Sequence, residues 1–178
     1  MNFENYLFTI ISQKILLPLR LNINYSQNSN MNKKLTIAIV AHDQRKADMV
    51  DWATFNAGTL AEHTLVCTGT TGGLVKSAFE KKGIEAEIIC VNSGPLGGDA
   101  EIAAMVVRHE INLAIFLIDD LNPQPHEADI QMLLRQCRIH NVPIACNRYS
   151  ADLMITSTLW DDSDYKPTVP LYVKFIRE

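Results

Sequence analysis

Five short apolar runs, each separated from the next by a segment of helical character, constrain this chain more than any other feature. The runs are Leu35–Ala41 (LTIAIVA), Thr64–Cys67, Glu85–Val91 (EAEIICV), Leu113–Ile118 and Val142–Cys146. Near-continuous, β-branched runs of this length read as strands covered on both faces, the pattern of a parallel sheet. Between them Gln44–Asn56, Gly72–Lys82, Gly98–His109 and Glu127–His140 read as helices. The first offers Met49, Val50, Trp52, Ala53 and Phe55 as an apolar face, and the second stops at Gly83. A further short helix, capped by Ser150, runs toward Ile155. Parallel strands need crossover connections, so this spacing implies βαβ units. The expected fold is α/β: a single three-layer, doubly wound domain around a mostly parallel five-stranded sheet.

In such a sheet ligands bind outside the carboxyl ends of the strands. The segments at those ends are His42-Asp43, Thr68–Gly72 (TGTTG), Ser93–Asp99 (SGPLGGD), Asp119–His126 (DDLNPQPH) and Asn147. Polar and glycine-rich residues therefore gather on one edge. Thr68–Gly72 combines two glycines with three hydroxyls at a helix start. It can cradle a phosphate on its amides, or it can be a helix start whose first turn Thr70 or Thr71 satisfies. Ser93–Asp99 has more glycine and proline than a simple connection needs. Asp99, at the head of the next helix, is either an N-terminal charge or a general base on a rigid element. His42 and Asp43 follow a buried strand directly, and Lys46 lies one helical turn on. Pro123 and Pro125 stiffen the loop that carries His126, with Asp129 just beyond. His63, His109 and His140 read as surface residues away from this edge.

Composition narrows the partners. The 178 residues are 47% hydrophobic and 20% charged, which suits a folded domain rather than a disordered chain, and the formal net charge is -4. A global basic footprint for nucleic acid is missing, so an anion must be held by a local device. Neither GxGxxG after the first strand nor a Walker loop occurs. His42 with Asp43 and His126 with Asp129 could be combined into a metal site on paper, but the glycine-rich loops would then go unexplained. Cys67, Cys90, Cys137 and Cys146 form no CxxC pair and read as reduced thiols of a cytosolic protein. Cys67, Cys90 and Cys146, inside or at the end of apolar runs, read as buried small hydrophobes. Residues 1–30 differ in character: an interrupted apolar stretch, Tyr6–Leu21, precedes a tail rich in Asn and Ser. It makes a poor transmembrane span and a poor signal peptide. It reads as an N-terminal extension to a domain spanning residues 31–178, with a membrane-surface helix as the sharper alternative.

Five motifs, in order and at the right spacing, carry a family resemblance: AHDQRK (Ala41–Lys46), CTGTTG (Cys67–Gly72), SGPLGGD (Ser93–Asp99), DDLNPQPHEAD (Asp119–Asp129) and VPIACN (Val142–Asn147). From about Lys34 onward the chain resembles the methylglyoxal synthases. That resemblance implies a cytoplasmic homo-oligomer, typically a hexamer, without cofactor or metal, that acts on dihydroxyacetone phosphate. It implies Asp99 as the base and His126 as the histidine beside the substrate's carbonyl and hydroxyl oxygens. It implies Asp43 and Asp129 as further acidic residues of the catalytic site. His42, Lys46, Thr68, Thr70, Thr71, Ser93 and Gly94 match the substrate- and phosphate-binding set. The family's C-terminal phosphate arginine, supplied by a neighbouring subunit, aligns with Lys174, which keeps the charge without the bidentate fork; Arg177 could substitute. Non-catalytic regulatory domains of carbamoyl phosphate synthetases resemble the same family, so a phosphometabolite-binding module is the alternative reading.

Overall fold

A computed structural model describes residues 34–160 and Tyr165. The N-terminal extension, Lys174 and Arg177 lie outside the described residues. The five runs form one sheet in the order β3-β2-β1-β4-β5, every pair parallel. Its strands are β1 (Thr36–Ala41), β2 (Thr64–Thr68), β3 (Glu87–Val91), β4 (Leu113–Leu117) and β5 (Ile144–Ala145). Helices α1 (Lys46–Phe55), α2 (Ala57–Leu60), α3 (Gly69–Lys81), α4 (Gly98–Val107), α5 (Glu127–Ile139) and α6 (Arg148–Ile155) connect or follow them.

Successive residues of β1 point to opposite faces, and two separate cores result. Ile37, Ile39 and Ala41 pack with Met49, Trp52, Phe79 and Ala151, from α1, α3 and α6. Ala38 and Val40 pack with Ile102, Val106, Ile130 and Leu133, from α4 and α5. This is the three-layer, doubly wound α/β arrangement. The chain order reverses between β1 and β4, the switch point where such sheets leave a crevice. His42 follows β1 there, and its amide donates to the Leu117 carbonyl at the end of β4 (3.2 Å).

Several local readings need correction. The first helix is preceded by a 3-10 turn, Asp43–Arg45, and ends at Phe55. The second begins at Gly69, three residues earlier than its threonines and glycines indicate, because the Asn92 carbonyl receives the Gly69 amide and starts the turn. The third stops at Val107, because His109 has a positive φ (59°). Asn147, not Ser150, caps α6: its side chain accepts the Ser150 amide (2.9 Å). Cys90 is exposed rather than buried, since β3 is an edge strand, and Cys146 is half-buried; Cys67 and Cys137 are buried. His63 is buried rather than on the surface, its Nδ1 accepting the Leu35 amide where β1 begins.

Candidate active site

Asp99 sits in the first turn of α4, 1% exposed, in front of the sheet's carboxyl edge. Its Oδ2 lies 3.3 Å from His126 Nε2. That is ion-pair distance without hydrogen-bond alignment, and among the described residues neither carboxylate oxygen has a hydrogen-bond donor. Burial is the main reason its carboxyl is held above the ordinary range; the neighbouring imidazoles of His126 and His42 pull the other way, and the charge of Asp129 adds to the rise. A buried carboxylate without donors is a stronger base than a solvated one, because nothing but the imidazoles stabilises its charge.

His126 stands immediately before α5, and its carbonyl accepts the Asp129 and Ile130 amides (2.9 and 3.2 Å). That first turn fixes the ring beside Asp99. His42 completes the cluster. Its Nδ1 accepts the backbone N–H of Asp119 (2.9 Å), so in the neutral ring the proton sits on Nε2. Nε2 is buried and has no partner among the described residues. The ring packs edge-on to Phe116 (5.0 Å) and to His126 (6.3 Å). Burial lowers its pKa, which keeps it neutral. Sequence places Asp119 at the end of the fourth strand without giving it this role, because a backbone donor leaves no mark in the residue type.

Gly94 lies closely against both Asp99 and His126. A Cβ placed on it would lie 2.8 Å from His126 Nε2 and 3.0 Å from Asp99 Oδ2. The volume a methyl group would take is therefore the volume that touches both groups. Gly94→Ala is expected to fold, because only side-chain ends are crowded, yet to lose at least about 100-fold in kcat/KM through displacement of the reacting groups. Circular dichroism and initial rates on one preparation check both halves.

The second half of the site is the start of α3. Thr68 is the N-cap but makes no side-chain capping bond, which leaves the first-turn amides beyond Gly69 without a side-chain cap and available to an anion. The buried Thr68 and Thr71 hydroxyls lie 3.3 Å apart, and the Thr70 hydroxyl lies 3.3 Å from that of Ser93. Asn92 ties this half to the first. Its carbonyl receives the Gly69 amide (3.1 Å), while its own amide and side chain are held by Glu101 in α4 (3.3 and 2.5 Å). Asp43 and Lys46 are at the rim, paired with each other. Asp129 is half-buried in the first turn of α5, close enough for its charge to act on Asp99. Among the described residues no three His, Cys, Asp or Glu side chains are grouped to hold a metal ion.

The arrangement joins a base, two imidazoles and a hydroxyl-lined helix start on one crevice. A family model described as the MGS-like domain matches residues 48–146. A methylglyoxal synthase of Treponema socranskii is 69% identical over 148 residues, 83% of this chain and 94% of that one. The chain belongs to the methylglyoxal synthase family. A second member, from Pseudoalteromonas atlantica, is 42% identical over 76% of this chain and 96% of its own. The crystal structure of methylglyoxal synthase from Elizabethkingia anophelis superposes with a TM-score of 0.70 at 37% identity, covering 82% of this chain and 91% of that one. Membership makes the chain an enzyme of the lyase class with a small phosphorylated substrate.

Proposed function

We propose that the crevice converts dihydroxyacetone phosphate into methylglyoxal and inorganic phosphate, with Asp99 as the base. The observation that carries this reading is the donor-free, buried Asp99 carboxylate set 3.3 Å from His126, with only the side-chain-less Gly94 packed against the pair. A C–H beside a ketone is a very weak acid. Asp99 takes the proton from the carbon bearing the free hydroxyl, while His126 and the Nε2–H of His42 donate to the oxygens that gain charge. The product of that step is an enediolate with a phosphate ester on the adjacent carbon. Its electron pair then expels phosphate by breaking the ester C–O bond, and the enol left behind takes a proton to become methylglyoxal. Expulsion requires the C–O bond to stand across the enediolate plane. Thr68, Thr70, Thr71, Ser93 and the α3 amides beyond Gly69 hold the phosphate in that torsion, and Lys46 adds a positive charge. Keeping the bond in the plane would favour isomerisation instead. Asp43 and Asp129 set the charge around the cluster. Lys174, from a neighbouring subunit of a homo-oligomer of hexameric type, contributes a further cation to the phosphate. The four cysteines stand as free thiols where the structure describes them, which suits work in the reducing cytoplasm.

The test is a time course with dihydroxyacetone phosphate in metal-free buffer, following methylglyoxal, phosphate and glyceraldehyde 3-phosphate together. Equal release of the first two with none of the third is the expected result. Binding without release would move the chain to a phosphometabolite-binding module.

The pH profile follows from the same chemistry. Only ionised Asp99 is a base, and its pKa is raised by burial. The acid limb of kcat/KM is therefore expected above the ordinary carboxylate range, with activity rising as pH climbs through that limb. An acid limb at the pH of a solvated carboxylate would contradict the assignment.

A further inference from the structure

We propose that Asp43 is a built-in counter-ion of the phosphate subsite: its carboxylate occupies the Lys46 ammonium in the empty site and competes with phosphate for it, loosening substrate and released phosphate alike. The inference rests on the reading of Lys46 as a phosphate ligand, and it gives Asp43 a role apart from proton transfer.

The pair is unequal. Lys46 Nζ and Asp43 Oδ1 are 2.5 Å apart, yet the lysine side chain is 19% exposed and the aspartate side chain 86%. The cation is therefore held in place by its surroundings, while the anion projects into water and can swing away without losing packing. The neighbouring cation, Arg45, is engaged by Asp48 at 3.1 Å. The Asp43 carboxylate also lies within electrostatic reach of both His42 and His126, so its charge acts on the reaction crevice. The Lys46 ammonium holds that carboxyl below its ordinary range, so it is ionised throughout the working pH.

A phosphate dianion arriving at Lys46 meets two costs. It must break the existing pair, and it must then share the rim with a displaced carboxylate of like charge. Exposed ion pairs are weak and screened, so the combined effect on affinity is about three- to ten-fold rather than larger. Such an effect acts on substrate and product together, because both carry the phosphate. It raises KM modestly and keeps the phosphate formed in each turnover from lingering.

The test is calorimetric titration of inorganic phosphate into the wild-type protein and into Asp43→Asn, Asp48→Asn and Lys46→Met, with melting curves for each. Asp48→Asn removes the same formal charge from the same turn without touching Lys46. The expected result is phosphate binding tightened about three- to ten-fold by Asp43→Asn, unchanged by Asp48→Asn and weakened by Lys46→Met. Phosphate should also become a correspondingly stronger product inhibitor of Asp43→Asn. Unchanged or weaker phosphate binding by Asp43→Asn overturns the proposal, as does equal tightening by Asp48→Asn, which would be a general charge effect. The titration needs no turnover. A wild-type protein that binds phosphate but makes no methylglyoxal sinks the proposed reaction and leaves the counter-ion to be judged on its own numbers.

Discussion

Asp99→Asn is expected to lose about 10²–10⁴-fold in kcat while becoming the more stable protein. Both effects come from one property. The carboxyl is 1% exposed and has no hydrogen-bond donor among the described residues. Because burial raises its folded pKa, the neutral form is the one the fold favours. The stability this group contributes is fully present below its unfolded pKa and is lost as pH rises through the raised folded value. At neutral pH the ionised group is thus a strain on the fold, retained for its basicity. Asparagine removes the charge at nearly constant shape. The gain in stability should be about 0.5–2 kcal/mol at pH 7, shrinking as the wild-type group protonates in acid. Urea denaturation at two pH values, set beside kcat, measures it. A variant that is inactive and also less stable at pH 7 would show that Asp99 supports the architecture instead.

Gly98→Ala should produce the largest loss of structure. A Cβ at this position would lie 1.9 Å from the Asn92 carbonyl oxygen and 2.8 Å from its carbon. These are backbone atoms, and they cannot turn aside as a side chain can. The carbonyl in the way is the one that receives the Gly69 amide at 3.1 Å. Relieving the clash therefore pulls apart the start of α3 and the start of α4, which hold the phosphate and the base. The expected cost is about 2–4 kcal/mol in denaturant unfolding, with at least a 100-fold fall in kcat/KM. Gly73, in the same glycine-rich neighbourhood of α3, meets nothing within 4 Å. Gly73→Ala should instead gain about 0.5–1 kcal/mol from better helix propensity and remain active. Equal stability of the two variants would refute this reading of the Asn92 junction.

Much of the fold is legible in the sequence because buried parallel strands announce themselves. LTIAIVA cannot sit half in water, and its two faces feed the two cores. The same logic collects His42, Thr68, Ser93 and His126 on one edge, since every parallel strand ends on the same side. What stays hidden is anything decided by pairing between distant segments. EAEIICV ends in the apolar run IICV that a buried strand would show, yet β3 forms the sheet edge and leaves Cys90 and Ile89 exposed. GTTGG has the composition of a loop, but from Gly69 it is helix, with Gly72 pressed against Cys67 and Cys90, where no larger residue fits. His63 looks like a surface residue until the Leu35 amide is seen to donate to it. The tautomer of His42 depends on the amide of Asp119, 77 residues away, and an amide is common to every residue type except proline.

The most direct measurement compares ordinary dihydroxyacetone phosphate with the same compound deuterated at the carbon bearing the free hydroxyl, for wild type and Asp99→Asn, reading methylglyoxal and phosphate together. Wild type is expected to release both products equally and more slowly from the deuterated substrate, and the variant to release almost none. Turnover by Asp99→Asn within about tenfold of wild type would contradict Asp99 as the base, because some other group would then be taking the proton.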